Sequence, residues 1–288
     1  MTTKLENSDR GLANAERRLS VGVTAVIPCN DTRWLKRALD SLLNQTSQIT
    51  SIIVVADGIN PIHTDSERVR VYSTSGWGKA RVVNHAVERL VQTEQLLVMD
   101  ADSFLDLKGV EEMQKLLDYG IELVMPRISP SRNETWIEKG RERSYRRKEG
   151  GEVYLNLGCC FLTRTSWFAT QPFPEDTMAE DQDFARNLRE KSVGVRFCSG
   201  AICFTEEARD WRTMIRQETR WTFGEIQIRS KRKRASGPIF VLKESLTSFV
   251  WILLSLTIKT QDRRYSFVSQ AGALIAMGYF VLSKKPSW

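Results

Sequence analysis

Two rhythms of apolar and polar positions alternate along the first half of the chain. Val21–Ile27 (VGVTAVI) is a run of apolar and β-branched residues, which predicts a buried strand stopped by Pro28. Leu35, Ala38, Leu39, Leu42 and Leu43 then recur at helical spacing, with Asn30, Asp31 or Thr32 available to cap that helix. Ile52–Ala56 predicts a second strand, ended by Asp57-Gly58, and Val69–Tyr72 a third. Helix follows over Lys79–Val91, with Val82, Val83, Ala86, Val87 and Leu90 on one side. Leu96–Met99 predicts another strand that runs straight into Asp100. Leu107–Leu117 again has helical spacing, and Glu122–Met125 is strand-like.

Strands interspersed with helices predict an α/β fold, with an open, Rossmann-like, mostly parallel sheet flanked by helices. Ligands of such sheets bind outside the carboxyl ends of the strands. Asn30, Asp57, Asp100 and Asp102 all fall at predicted strand ends.

The second half is less regular. Tyr154–Leu162 is mixed and apolar, Ala179–Arg189 and Arg209–Gly224 predict helices, and Val193–Phe204 predicts a strand broken at Ser199-Gly200. Beyond Pro238 the chain turns apolar in two runs, Leu246–Ile258 and Phe267–Leu282. Both are shorter than the about 20 residues that a spanning helix needs. Interfacial or re-entrant C-terminal apolar helices are therefore expected rather than two full spans. These patterns divide the chain into a flexible segment over 1–20, a catalytic domain over 21–228, and a basic linker with membrane-associated helices over 229–288.

Composition narrows the class. The 288 residues are 41% hydrophobic and 27% charged, so a packed domain is expected. Residues 1–18 lack the apolar core of a secretory signal. The formal charge of +7 favours anionic partners, and it gathers at Arg141–Lys148 and Arg229–Arg234. The first cluster reads as a solvated face, the second as a basic patch for anionic lipid headgroups. Five cysteines without a C-x-x-C pair point to reduced thiols and no structural zinc. A cytoplasmic face of a membrane is the expected location.

Asp100-Ala101-Asp102 places two carboxylates at a strand end, where they can share the oxygen shell of a divalent cation that also holds a diphosphate. A D-x-D in a strand-ending loop is also an ordinary turn. Gly78-Lys79 opens a helix, which suits a phosphate but equally suits an exposed helix start. Glu180 and Asp181 stand in a first turn, either as dipole partners or as a base for an attacking hydroxyl. Gln217, Arg220 and Trp221 are spaced to share a helix face. A guanidinium suits a diphosphate and an indole suits a sugar ring, while a half-buried Trp on an amphipathic helix is the plain alternative.

Taken together, these motifs resemble the family 2 glycosyltransferases of GT-A fold, in the cellulose, chitin and hyaluronan synthase-like branch. The resemblance runs from Val21 to Gly224 through VIPCN (Val26–Asn30), ADG (Ala56–Gly58), GKARVVNHA (Gly78–Ala86), DAD (Asp100–Asp102), LGCCFLTR (Leu157–Arg164), AED (Ala179–Asp181) and QETRW (Gln217–Trp221). It implies that Pro28, Asn30, Asp57, Lys79 and Asp100 bind the nucleotide, usually UDP. It implies that Asp102 holds Mg²⁺ or Mn²⁺ and that Asp181 is the general base. Glu180, Gln217 and Arg220 then serve the diphosphate and acceptor, with Trp221 as the acceptor platform. Two departures stand out. Ala56 occupies a position that often carries Asp, and Ser103 one that carries His in some synthases.

The implied activity is inverting transfer of glucose or N-acetylglucosamine from a UDP-sugar to a glycan or lipid-linked acceptor, giving a β-linkage. Polymer-secreting members carry several membrane spans, so export here would call on a partner subunit. Three other classes compete with this one. A nucleic-acid-binding protein fits the charge, but the chain has no RNP-like, helix-turn-helix or zinc-spacing motif. A nucleotidyltransferase would use the same metal site and leave the Gln217–Trp221 face without a job. An idle scaffold has no need of Asp100, Asp102 and Asp181 together.

Overall fold

The computed structural model describes residues 3–4, 19–60, 62–149, 158–231 and 262–281. By contacts the chain forms two compact units. One comprises Met1–Ser129, Lys148–Glu175 and Phe184–Thr205; the other comprises Pro130–Arg147, Asp176–Asp183 and Glu206–Trp288. Residues 21–228 contribute to both units.

The first unit is built on one nine-stranded sheet. Its strands are β1 (Thr3–Lys4), β2 (Ser20–Cys29), β3 (Ser51–Asp57), β4 (Val69–Thr74), β5 (Thr93–Met99), β6 (Ser103–Leu105), β7 (Leu123–Pro130), β8 (Cys160–Arg164) and β9 (Val195–Thr205). Their order across the sheet is β1-β4-β3-β2-β5-β8-β7-β9-β6. The run from β1 to β5 is parallel; β8 then pairs antiparallel with β5, β7 with β8, and β6 with β9. The expected α/β, mostly parallel architecture is what forms. Thr3–Lys4 join the sheet edge, and Ser20 already belongs to β2.

Helices α1 (Leu35–Leu43), α2 (Lys79–Arg89), α3 (Gly109–Asp118) and α5 (Thr165–Thr170) belong to this unit. The parallel strands are buried on both faces, so they read as continuous apolar runs. Ala25, Ile27, Val54, Leu97 and Met99 face a core with Leu35, Ala38 and Leu42 of α1 and Val110, Met113 and Leu117 of α3. Val26, Ile53, Val55, Leu96 and Val98 face the other, with Val82, Val83, Ala86 and Val87 of α2 and the rings of Phe161, Phe168, Phe173 and Phe184.

Several local expectations are corrected. Pro28 does not stop its strand, because β2 runs on to Cys29 with Pro28 paired to Val55. Its last register pair with β5 is Val26 with Val98, so the missing N–H of Pro28 falls beyond the two-sided ladder. No side chain caps α1, whose N-cap is Trp34; Asp31 instead takes the Arg33 N–H and pairs with its guanidinium. β9 is unbroken at Ser199-Gly200, where the absent side chain of Gly200 leaves room for Glu112. The three-residue β6 is too short to carry a period.

The second unit is helical. It contains α4 (Trp136–Glu149) up to Arg147, the first turn of α6 (Glu180–Glu190), α7 (Trp211–Lys231) and α8 (Asp262–Val281). A capping box starts α4: Glu138 accepts the N–H groups of Glu134 and Thr135, and the Thr135 hydroxyl accepts the Glu138 N–H. Asp210 starts α7 by accepting the N–H groups of Arg212 and Thr213. α7 and α8 pack closely at Gly272, whose carbonyl accepts the Thr219 hydroxyl at 3.1 Å.

Of the two apolar C-terminal runs, Leu246–Ile258 lies outside the described residues, as do residues 232–234 of the basic run and residues 154–157. The second run is α8, and among the described residues no helix is long and apolar enough to cross a membrane.

Candidate active site

Three adjacent parallel strands, β3, β2 and β5, end in Asp57, in Pro28 to Asn30, and in the turn carrying Asp100 and Asp102. The sheet therefore gathers the residues that the resemblance assigns to the nucleotide at one edge, where strand ends hold ligands.

Asp57 is committed to the loop before α2. One carboxylate oxygen accepts the Thr74 hydroxyl at 2.5 Å and the Trp77 N–H at 2.6 Å, and the other accepts the Gly78 N–H at 2.8 Å. Three of its about four acceptor positions are thus taken. Asp57 braces a loop whose Gly76 and Gly78 sit at φ 85° and 86°, conformations that favour glycine. That brace delivers Lys79, the first residue of α2. Its Nζ lies 2.6 Å from Asp100 Oδ1 and donates to the Gly158 carbonyl at 2.5 Å. Asn30 is exposed just past β2.

Asp102 is exposed, next to the fully buried Ser103. The Ser103 hydroxyl reaches it at 3.4 Å, too long for a strong bond. No group of three His, Cys, Asp or Glu that could hold a metal stands among the described residues. An oxygen-loving cation that binds through one or two carboxylates, waters and a diphosphate needs no such cage. The exposed Asp102 beside Asp100 fits a cation of that kind. Burial, helped by the charges of Asp31 and Asp102, pushes Cys29 up to about 11. Cys159 is raised by its hydrogen bond with Cys203 and by burial, and Cys203, against the opposing hydrogen bond with Cys159, by its contact with Cys160 and by burial. All five cysteines are free.

The second unit carries the other assigned residues. Glu180 and Asp181 open α6, both half-buried. Asp183 is buried and has Lys231 3.3 Å away, which makes it an anchor rather than a base. Gln227 of α7 accepts the Met178 N–H at 3.0 Å. A Cβ on Gly224 would stand only 2.6 Å from Ala179 Cβ. The segment leading into Asp181 is therefore pressed on α7 one turn beyond Arg220 and Trp221. On that helix Arg220 is exposed, Trp221 half-buried, and the Gln217 Oε1 is buried without a hydrogen-bond partner among the described residues. A buried acceptor left unpaired costs about 1–3 kcal/mol, so a donor on a bound molecule would satisfy it at a gain.

A comparison with family models matches residues 96–282, about two thirds of the chain, to the glycosyl transferase family group 2. The chain belongs to that family. Its fold is that of GT-A glycosyltransferases among solved structures. One is the mannosyltransferase PcManGT from Pyrobaculum calidifontis in complex with GDP-Man and Mn²⁺. It is 15% identical, with a TM-score of 0.64, over 92% of this chain and 88% of that one. Another is GalNAc-T7 with UDP, GalNAc and Mn²⁺, 12% identical, with a TM-score of 0.51, over 65% of this chain and 43% of that one. No curated protein matches the sequence.

In this glycosyltransferase several residues matter that sequence reasoning passed over. Gly158 offers the carbonyl that holds Lys79. Asn84 of α2 exchanges two hydrogen bonds with the backbone of Phe173 and so ties α2 to the loop after α5. Arg141, placed by its charge run on a solvated face, is 6% exposed. It contacts Glu207 at 3.3 Å and Glu218 at 2.6 Å, and its guanidinium lies 4.4 Å from the centre of the Trp221 ring. The Thr135-x-x-Glu138 spacing was a readable signal for α4, and Asp210 was one for α7.

Proposed function

We propose that this glycosyltransferase is an inverting, metal-dependent hexosyltransferase of the synthase-like branch. It moves glucose or N-acetylglucosamine from a UDP-sugar to a hydroxyl of a glycan or lipid-linked acceptor and forms a β-glycosidic bond. The observation that carries this reading is the Lys79–Asp100 ion pair beside the exposed Asp102, at the carboxyl ends of the central strands. It puts a cation and two carboxylates where a nucleoside diphosphate would lie. The orphaned Gln217 Oε1 near Arg220 supports a polar ligand at α7.

When bound, Mg²⁺ or Mn²⁺ would offset charge on the departing diphosphate. Asp100 and Asp102 would hold it, with Lys79 as a further point charge. Pro28, Asn30 and the Asp57-braced loop would receive the nucleoside. Asp181 takes the proton of the acceptor hydroxyl as that oxygen attacks the anomeric carbon from the face opposite the diphosphate. The anomeric C–O bond breaks, and Arg220, together with Glu180 and Gln217, orients the leaving diphosphate. The Trp221 indole offers a flat apolar platform to the acceptor ring. The basic run at 229–234 and the apolar C-terminal stretches would hold the enzyme on the cytoplasmic face of a membrane, and export of a polymer would need a partner subunit.

The test is nucleotide release with UDP-glucose, UDP-N-acetylglucosamine and GDP-mannose, each with Mn²⁺, Mg²⁺ or chelator. GDP-mannose belongs in the panel because PcManGT binds it. Metal-dependent UDP release, with a β-configured product by proton NMR, is expected. An α-configured product rules out inversion, and turnover with GDP-mannose alone moves the donor assignment.

A further inference from the structure

We propose that Arg141 is a positioning residue that fixes the Trp221 indole for the acceptor, with Glu207 and Glu218 as its anchors. This rests on the reading of Trp221 as the acceptor platform.

Four segments of the helical unit converge on Arg141. Its own helix is α4; Glu207 precedes α7, Glu218 and Trp221 lie on α7, and Tyr265 lies on α8. Side-chain exposures of 7% for Arg141, 4% for Glu207 and 13% for Glu218 put all three charges out of water. Each anchor is itself held. Tyr145 donates to Glu207, and Ser269 donates to Glu218 at 2.9 Å. Burying ions costs several kcal/mol each, and the group leaves two carboxylates against one guanidinium. Apolar side chains of similar volume would fill the same space at no loss of stability.

What the charges add is direction. A planar guanidinium paired with two carboxylates is restricted in its rotation, and its central carbon lies 4.4 Å from the Trp221 ring centre. The Tyr265 ring is 5.6 Å away, and Tyr265 leaves no room for a side chain at Gly140. Trp221 is thereby fixed from α4 as well as from its own helix. Its indole stays half-exposed, as a platform needs.

The test uses the full chain with 5-fluorotryptophan, the Trp221 resonance being assigned through Trp221→Phe. Arg141→Met alone strands two buried carboxylates and can fail to fold. The informative variant is therefore Arg141→Met with Glu207→Gln and Glu218→Gln, which removes all three charges. Trp221→Ala is measured beside it, with UDP-glucose as donor and octyl β-D-glucoside as acceptor. The triple variant is expected to melt as a folded protein, with a shifted and broadened Trp221 fluorine signal. Its KM for the glucoside should rise about tenfold while its KM for UDP-glucose holds, the loss expected of one cation–π contact. An unmoved Trp221 signal in the folded triple variant overturns the positioning role, whether or not turnover is detected. If Trp221→Ala leaves the acceptor KM unchanged, the platform reading fails and the proposal fails with it.

Discussion

The two units of this glycosyltransferase are held together by different physics. Among the described residues the sheet unit buries no charged residue; its core is aliphatic and aromatic, and its buried polar groups are neutral. The described residues of the helical unit bury Glu138, Arg141 and Asp183 beside apolar clusters at Ile137 and Ile226. An apolar core grows from local periodicity and tolerates conservative change. A buried ion network depends on partners far apart in sequence, and it fails badly when one member is removed.

The sharpest way to break the comparison is Arg141→Ala. It should cost about 3–5 kcal/mol in denaturant unfolding, because Glu207 and Glu218 stay buried without their cation. A smaller cost would mean that the network is solvated. In the sheet unit, Leu97→Ala should cost about 3 kcal/mol by transfer and cavity terms alone. Gly224→Ala comes next, at about 2 kcal/mol, because the added methyl meets Ala179 Cβ at 2.6 Å. It should also depress kcat by displacing the segment that leads into Asp181.

The smallest effect is one of pH. Burial raises the Glu207 carboxyl above its ordinary 4.5, with Arg141 opposing and Glu218 adding to the shift. The folded protein thus holds this proton more tightly than the unfolded chain does. The stabilisation is complete below 4.5 and fades as pH rises through the raised native value. Glu207→Gln should flatten that slope in melts taken from mildly acidic to neutral pH. An unchanged slope would place the titration elsewhere.

Legibility followed the same divide. The runs at Val21–Ile27, Ile52–Ala56 and Leu96–Met99 marked the central strands because both sheet faces are apolar. The strand-end rule then located Asp57, Asp100 and Asp102. What the residues do there was not legible. Two of the three hydrogen bonds that turn Asp57 into a brace come from a loop set by Gly76 and Gly78, and Lys79 is held by Gly158, far along the chain. Arg141 was misjudged because a basic run has no period, and its burial depends on Glu207 and Glu218. The spacing of Gln217, Arg220 and Trp221 was readable, while the pressing of Gly224 on Ala179 was not.

The most direct test of the account compares Asp181→Asn with Asp102→Ala, in UDP binding by calorimetry with Mn²⁺ and in UDP release from UDP-glucose and UDP-N-acetylglucosamine. The account predicts that Asp181→Asn binds UDP like the parent protein and releases none from the sugar nucleotides. It predicts that Asp102→Ala loses the Mn²⁺-dependent part of binding. Turnover retained by Asp181→Asn, or UDP binding indifferent to both Mn²⁺ and Asp102, would contradict it.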